Sequence, residues 1–159
     1  MSVLKRNRSE SQLEFYNTAI TIRAELTKFV MNEKIIPKRW RPVFTFPLVS
    51  MLIKLINNIT AANTIYPQKP KTNAKAEWEA YLQGALKRRE YQTEAVITVE
   101  QIFQHLQYIL TTLPVDANKF RPVTQLLVKE AQLLRGWRKA DYKFIKDYEE
   151  RGEQEATKE

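Results

Sequence analysis

The sequence predicts an all-α protein, a single-domain antiparallel four-helix bundle, and three observations carry that expectation. Apolar residues recur at alternating spacings of three and four along most of the chain, the period of a helix with one buried stripe. Glycine is scarce, with 3 in 159 residues, where a turn-rich β protein needs many more. No segment shows the strict apolar–polar alternation of a half-buried strand. Four helical stretches joined by short connections pack most simply against one another around one core. The organisation expected is a flexible basic tail over residues 1–8, a bundle over 9–148 and an acidic, disordered tail over 149–159.

The elements follow in order. Ser9 or Ser11 can cap the first helix, with Glu10 and Glu14 near its positive end. Phe15, Ala19, Ile22, Leu26 and Phe29 then mark its buried seam, which fades near Asn32 because Pro37 and Pro42 follow. The second helix is expected to start close to Pro47, since proline is tolerated in a first turn. Leu48, Leu52, Leu55, Ile59 and Ala62 form its main line, and Val49, Ile53 and Ile56 widen it. A bundle interior needs only about a 100° stripe from each helix, so the extra width makes Val49, Ile53 and Ile56 candidate contacts between protomers. Taken singly, each of them reads as ordinary core before it reads as a contact. Asn63 and the segment from Tyr66 to Lys71, with Pro67 and Pro70, close the helix and form the main linker.

The third helix is long, from about Ala74 to Thr112, with no internal proline. Trp78, Tyr81, Leu82, Ala85 and Leu86 carry its first half, and Val96, Val99, Phe103, Leu106 and Leu110 its second, leaving a break near Tyr91 open. Gly84 within it costs only about 1 kcal/mol against alanine. Pro114 and Asp116 make the next turn. The fourth helix is expected from near Asn118 to Tyr148, with Phe120, Val123, Leu127, Ala131 and Leu134 on one line. Leu126, Leu133, Trp137 and Phe144 lie on an adjoining one.

Composition argues against an enzyme. There is no cysteine, which excludes thiolate metal sites and disulfides and suits a cytoplasmic setting. The single histidine, His105, cannot supply a metal cluster or the two Glu-x-x-His pairs of a di-iron bundle. Glycines at 84, 136 and 152 lie too far apart for a phosphate-binding loop. Glu90 and Glu94 sit among Lys87, Arg88 and Arg89, where helical ion pairing explains them. No cofactor or metal is expected. The N-terminus leads into no apolar signal core, and the stretch from Leu48 to Ile59 reads as too short and too polar to span a bilayer.

Charge is the stronger signal. The whole chain is +8, and the last thirteen residues hold six acids against two bases, so residues 1–146 carry +12. Such an excess attracts polyanions. Three clusters concentrate it. Lys34, Lys38, Arg39 and Arg41 surround Trp40 in a proline-bounded loop, a pattern suited to phosphate contacts plus base stacking. Lys87, Arg88 and Arg89 span most of a helical turn, with Arg89 placed nearest the apolar line, where it would snorkel or meet an acid. Arg135, Arg138, Lys139, Lys143 and Lys146 around Trp137 progress at helical spacings toward one positive stripe. The candidate binding residues are therefore Lys38, Arg39, Trp40, Arg41, Lys87, Arg88, Arg135, Arg138, Lys139 and Lys143. No helix-turn-helix, zinc finger or ribonucleoprotein motif accompanies them, so backbone-dominated, salt-sensitive binding with little base readout is expected.

Three segments carry a family resemblance: the opening from Met1 to Ser11, the run Ala61-Ala62-Asn63-Thr64-Ile65-Tyr66-Pro67, and Leu133-Leu134-Arg135-Gly136-Trp137-Arg138-Lys139-Ala140-Asp141. Over roughly residues 1–146 the chain resembles the accessory variability determinant proteins of diversity-generating retroelements. The resemblance implies a basic four-helix bundle that assembles as a ring-like homopentamer. It implies association with the reverse transcriptase of the same element and with its RNA or cDNA, in support of mutagenic retrohoming. That family transfers no sharp site motif, so the site residues rest on the basic clusters. The alternative is an oligomeric helical scaffold that meets an acidic protein and binds no nucleic acid.

Overall fold

The computed structural model describes the backbone of residues 3–156 and the side chains of residues 14–152. Every regular element among the described residues is helical. Helix α1 spans Val3–Met31, α2 Arg41–Thr64, α3 Lys75–Thr112, α4 Arg121–Ala140 and α5 Lys143–Ala156. Short 3-10 turns, Lys38–Trp40 and Ala117–Phe120, lead into α2 and α4.

Four of these boundaries differ from the expected ones. Helix α1 starts at Val3, inside the segment read as a tail; nothing between Val3 and Arg8 is glycine or proline, so no residue stops the helix there. Met1 and Ser2 lie outside the described residues. Helix α2 starts at Arg41, with Pro42 in its first turn and Pro47 inside it. An interior proline typically costs about 3 kcal/mol. Here Phe44, Leu48 and Leu52 are fully buried around it, and burial of that size offsets the lost rung. The expected fourth helix is two, broken at Asp141–Tyr142. Helix α5 then continues through the acidic segment to Ala156, because Phe144, Ile145 and Tyr148 pack on Trp78, Tyr81 and Ala85 of α3. Residues 157–159 lie outside the described residues.

The main core joins α1 to α4 around Ile22, Leu26, Leu48, Leu52, Leu55, Ile59, Ile102, Leu106, Leu127 and Leu134. Helix α2 is its most apolar member. With the turn before it, residues Lys38–Thr64 are long and apolar enough to cross a membrane by length and composition, with a mean hydropathy of 1.4 over the best window. The narrower stretch considered from the sequence omitted Val43, Phe44 and Phe46, which raise that value. In the structure α2 packs against α1 and α3 and contributes eight buried residues, Phe44 to Ala62.

Helix α3 shows the seam most clearly. Tyr81, Ala85, Arg88, Gln92, Ala95, Val99, Ile102, Leu106 and Ile109 are all buried and alternate at spacings of four and three without interruption. No break occurs at Tyr91. The seam passes through two polar residues, Arg88 and Gln92, and both are occupied in holding the bundle together.

The two ends of the bundle are tied differently. At one end Phe29 meets Phe120 edge-on at 4.3 Å, and Thr45 Oγ1 donates to the Val30 carbonyl at 3.0 Å. His105 Nε2 donates to the Phe44 carbonyl at 2.7 Å in the same region, so the lone histidine is a structural partner of α2. At the other end Phe15 stacks on Trp137 with centroids 4.3 Å apart. Phe15 and Phe29 are separated by about 21 Å along α1, at 1.5 Å per residue.

Candidate functional site

Asp141 organises the second end. As the residue that closes α4, it donates its backbone N–H to the Trp137 carbonyl at 3.0 Å. Its carboxylate Oδ2 accepts from Arg88 Nε and from Gln92 Nε2, each at 2.7 Å. Arg88 is 1% exposed. Its Nη1 donates to the Ala62 and Ile65 carbonyls at 2.7 and 2.8 Å, groups at the end of α2 that have no partner within that helix. A cation there also suits the negative end of the α2 dipole. The guanidinium lies 5.0 Å from the Trp137 ring and 5.6 Å from that of Tyr66. One buried arginine thus joins the end of α2, the seam of α3 and the α4–α5 turn.

This corrects one candidate. Arg88 cannot meet a phosphate, because its charge is buried and consumed by Asp141 and two carbonyls. The core-side member of the Lys87–Arg89 run is Arg88 and not Arg89, since the seam reaches it from Tyr81 and Ala85 by steps of four and three. Arg89 instead points to the surface, with its guanidinium 5.6 Å from the Tyr142 ring.

With the turn held in this way, six side chains line one concavity of about 620 Å3: Arg89 from α3, Arg135, Arg138 and Lys139 from α4, Tyr142 from the turn and Lys146 from α5. Residues 135, 138, 139, 142 and 146 keep the three-and-four spacing of a single helical face. They keep it across the break because the turn is itself helix-like, with Tyr142 N–H donating to Lys139 O at 3.2 Å and Ile145 N–H to Tyr142 O at 3.0 Å. Five cations converge there. Arg135 is paired with Glu100 of α3, and Arg138 donates to Thr93 Oγ1 at 3.3 Å, which orients it along the wall. Glu100 is the one acid in ion-pair contact with the cleft's cations among the described residues. Tyr142 keeps 41% of its surface open between them.

The other sequence candidates lie elsewhere. Lys143 turns its ammonium over the Phe144 ring at 5.2 Å and does not line the cleft. Lys87 is exposed but bound to Glu90 at 2.9 Å, which raises its pKa through that hydrogen bond, and lies over Tyr91. Lys38, Arg39, Trp40 and Arg41 occupy the opposite end of the bundle. There Glu33 lies 3.0 Å from Lys38 and 3.8 Å from Arg41, and Arg41 also donates to the Met31 carbonyl at 2.9 Å. Arg39 lies over the partly exposed Trp40 ring at 5.6 Å. That loop is therefore a half-neutralised patch separate from the cleft.

The candidate protomer contacts divide as well. Ile56 is buried in the core and Val49 is packed against it, so neither presents an outer face. Ile53 is 49% exposed. It continues an outer stripe with Val43 and Phe46, at steps of three and seven, and Phe46 is the most exposed large apolar residue described, at 61%. Ile97 and Tyr108 of α3 are exposed too, and line a shallow groove with Met51, Glu100, Gln101, Gln104 and His105.

Sequence reasoning missed Tyr142 and assigned Arg89 to the core side. The signal for Tyr142 was its place three residues after Lys139 and four before Lys146. Comparison of the chain with protein-family models, curated proteins and solved structures finds no match.

Proposed function

We propose that this chain is a non-enzymatic nucleic-acid-binding subunit whose cleft of Arg89, Arg135, Arg138, Lys139 and Lys146 holds phosphates. The observation that carries the reading is the convergence of five cations from three elements on one concavity, with a single acid among their partners in the described residues. Cations dispersed for solubility would each tend to meet a separate carboxylate, as Lys38, Lys54 and Lys129 do. Within the wider resemblance, the role is that of an accessory protein of a diversity-generating retroelement. It binds the element's reverse transcriptase and its template RNA or cDNA, and the polymerase performs the chemistry. Genes for a reverse transcriptase and paired variable and template repeats beside its own gene are the expected context; their absence removes the retroelement role but leaves the cleft.

The oligomer belongs to the same proposal. An antiparallel bundle fits the ring pairs, since Phe15 meets Trp137 while Phe29 meets Phe120. Ring-like assembly, as the homopentamer the resemblance implies, would use the stripe of Val43, Phe46 and Ile53 with Ile97 and Tyr108. That face suits a second copy of this chain because Val43, Phe46 and Ile53 leave an apolar stripe of α2 uncovered, and none of these three lines the basic cleft.

The test replaces Arg135, Arg138 and Lys139 with glutamate and measures binding of RNA and single-stranded DNA at low salt. Loss of binding with unchanged helical content supports the proposal. Unchanged binding moves the site elsewhere, and wild-type affinity for an acidic polypeptide but for no nucleic acid favours the scaffold alternative.

A further inference from the structure

Tyr142 makes the cleft more than a field of positive charge. Its ring is the aromatic surface among the six lining residues, and it sits midway along the cationic stripe, between Lys139 and Lys146. Arg89 lies over the ring at 5.6 Å, and 41% of the side chain is open to solvent. An exposed aromatic ring beside a cation, with further cations on either side along the cleft, offers a surface to a flat, unpaired base. Duplexes keep their bases stacked inside and present only phosphates to such a site.

We propose that Tyr142 is a stacking platform for an unpaired base, and that the cleft selects single-stranded over double-stranded nucleic acid. The proposal rests on the reading of the cleft as a phosphate site and adds what that reading leaves open, the strandedness of the ligand. In the bound state the base lies against the Tyr142 ring beside the Arg89 guanidinium, and Lys139 and Lys146 take the phosphates on either side. Stacking is tolerant of base identity because every base has a π-face, so selection by strandedness comes without sequence readout. The placement depends on Asp141, the neighbour of Tyr142, whose bonds to Arg88 and Gln92 fix the turn.

The experiment measures the affinity of the full chain for a single-stranded RNA, a single-stranded DNA, a DNA duplex of equal length and heparin, for wild type, Tyr142→Ala and Tyr142→Phe. Loss of one stacked base predicts a fall of roughly 5- to 150-fold for Tyr142→Ala on the single strands. Duplex and heparin binding should change by less than about twofold, and Tyr142→Phe should retain the wild-type preference because the ring remains. Wild type binding duplex as tightly as single strands, or Tyr142→Ala weakening all four ligands equally, overturns the stacking role while leaving the phosphate site standing. Failure of wild type to bind any of the four at low salt overturns both.

Discussion

Replacing Arg88 with alanine removes the group that joins three parts of the bundle, and the structure sets the size of the effect. Arg88 is 1% exposed and Asp141 retains only 12% side-chain exposure, so the variant leaves a largely buried carboxylate without its counter-ion. Breaking such a buried pair costs about 3–5 kcal/mol. The Ala62 and Ile65 carbonyls lose their donor as well, at about 1 kcal/mol or more each where water cannot replace it. Gln92 still donates to Asp141 and tempers the loss. A net destabilisation of about 4 kcal/mol is expected, and for a chain of this size it lowers Tm by roughly 8–16 °C. Denaturant unfolding of Arg88→Ala, Asp141→Ala and the double variant completes the test. The two side chains should couple by more than about 1.5 kcal/mol. Additive effects within about 0.5 kcal/mol, or an Arg88→Ala variant as stable as wild type, would refute the role given to this pair.

Two further outcomes are expected. Glu130 is fully buried on α4, neither of its oxygens has a hydrogen-bond partner among the described residues, and burial pushes its pKa up to about 8. The folded chain therefore holds this proton more tightly than the unfolded chain, whose carboxyl titrates near 4.5. The contribution of this group to stability is fully present below that lower value and is lost as pH rises through about 8. Glu130→Gln should remove this slope and raise stability at pH 7 by on the order of 3 kcal/mol, read from urea midpoints across pH 5–8. An unchanged slope would contradict the burial of a protonated carboxyl. For self-association, the Phe46→Glu, Ile53→Glu double variant should run as a monomer by light scattering where wild type runs as an oligomer. An oligomer of unchanged size would place the interface elsewhere.

Much of the fold was legible because helical periodicity is a local signal. The seams of α1 and α4 and the extent of α3 follow from apolar spacing, while the continuity of α3 past Tyr91 is settled by the packed seam through Arg88, Gln92 and Ala95. Boundaries were less so. Pro47 reads as a start because proline usually breaks a helix, yet its flanking residues Phe44 and Leu48 are buried deeply enough to carry the helix past it. The break at Asp141 reads as continuous helix because its cause is non-local: the carboxylate turns toward Arg88, 53 residues earlier in the chain, and toward Gln92. The same non-locality hid the site. The stripe of Arg135, Arg138 and Lys139 is visible in the sequence, whereas its completion by Arg89 requires packing of α3 on α4. Extending the α3 seam by its own spacing would have assigned Arg88 to the interior. Ile56 and Ile53 differ in burial for a related reason, since only the arrangement of α1 and α3 around α2 decides which edge of a wide apolar stripe stays uncovered.

The central claim is that the cleft cations act on phosphates, and the salt dependence of single-strand binding measures that most directly. If Arg89, Arg138, Lys139 and Lys146 neutralise three to four phosphates, log K should fall linearly with log salt with a slope of roughly −2 to −3. The glutamate variant of Arg135, Arg138 and Lys139 should lose most of that binding. A slope near zero, or the same slope and affinity in the variant, would contradict the account.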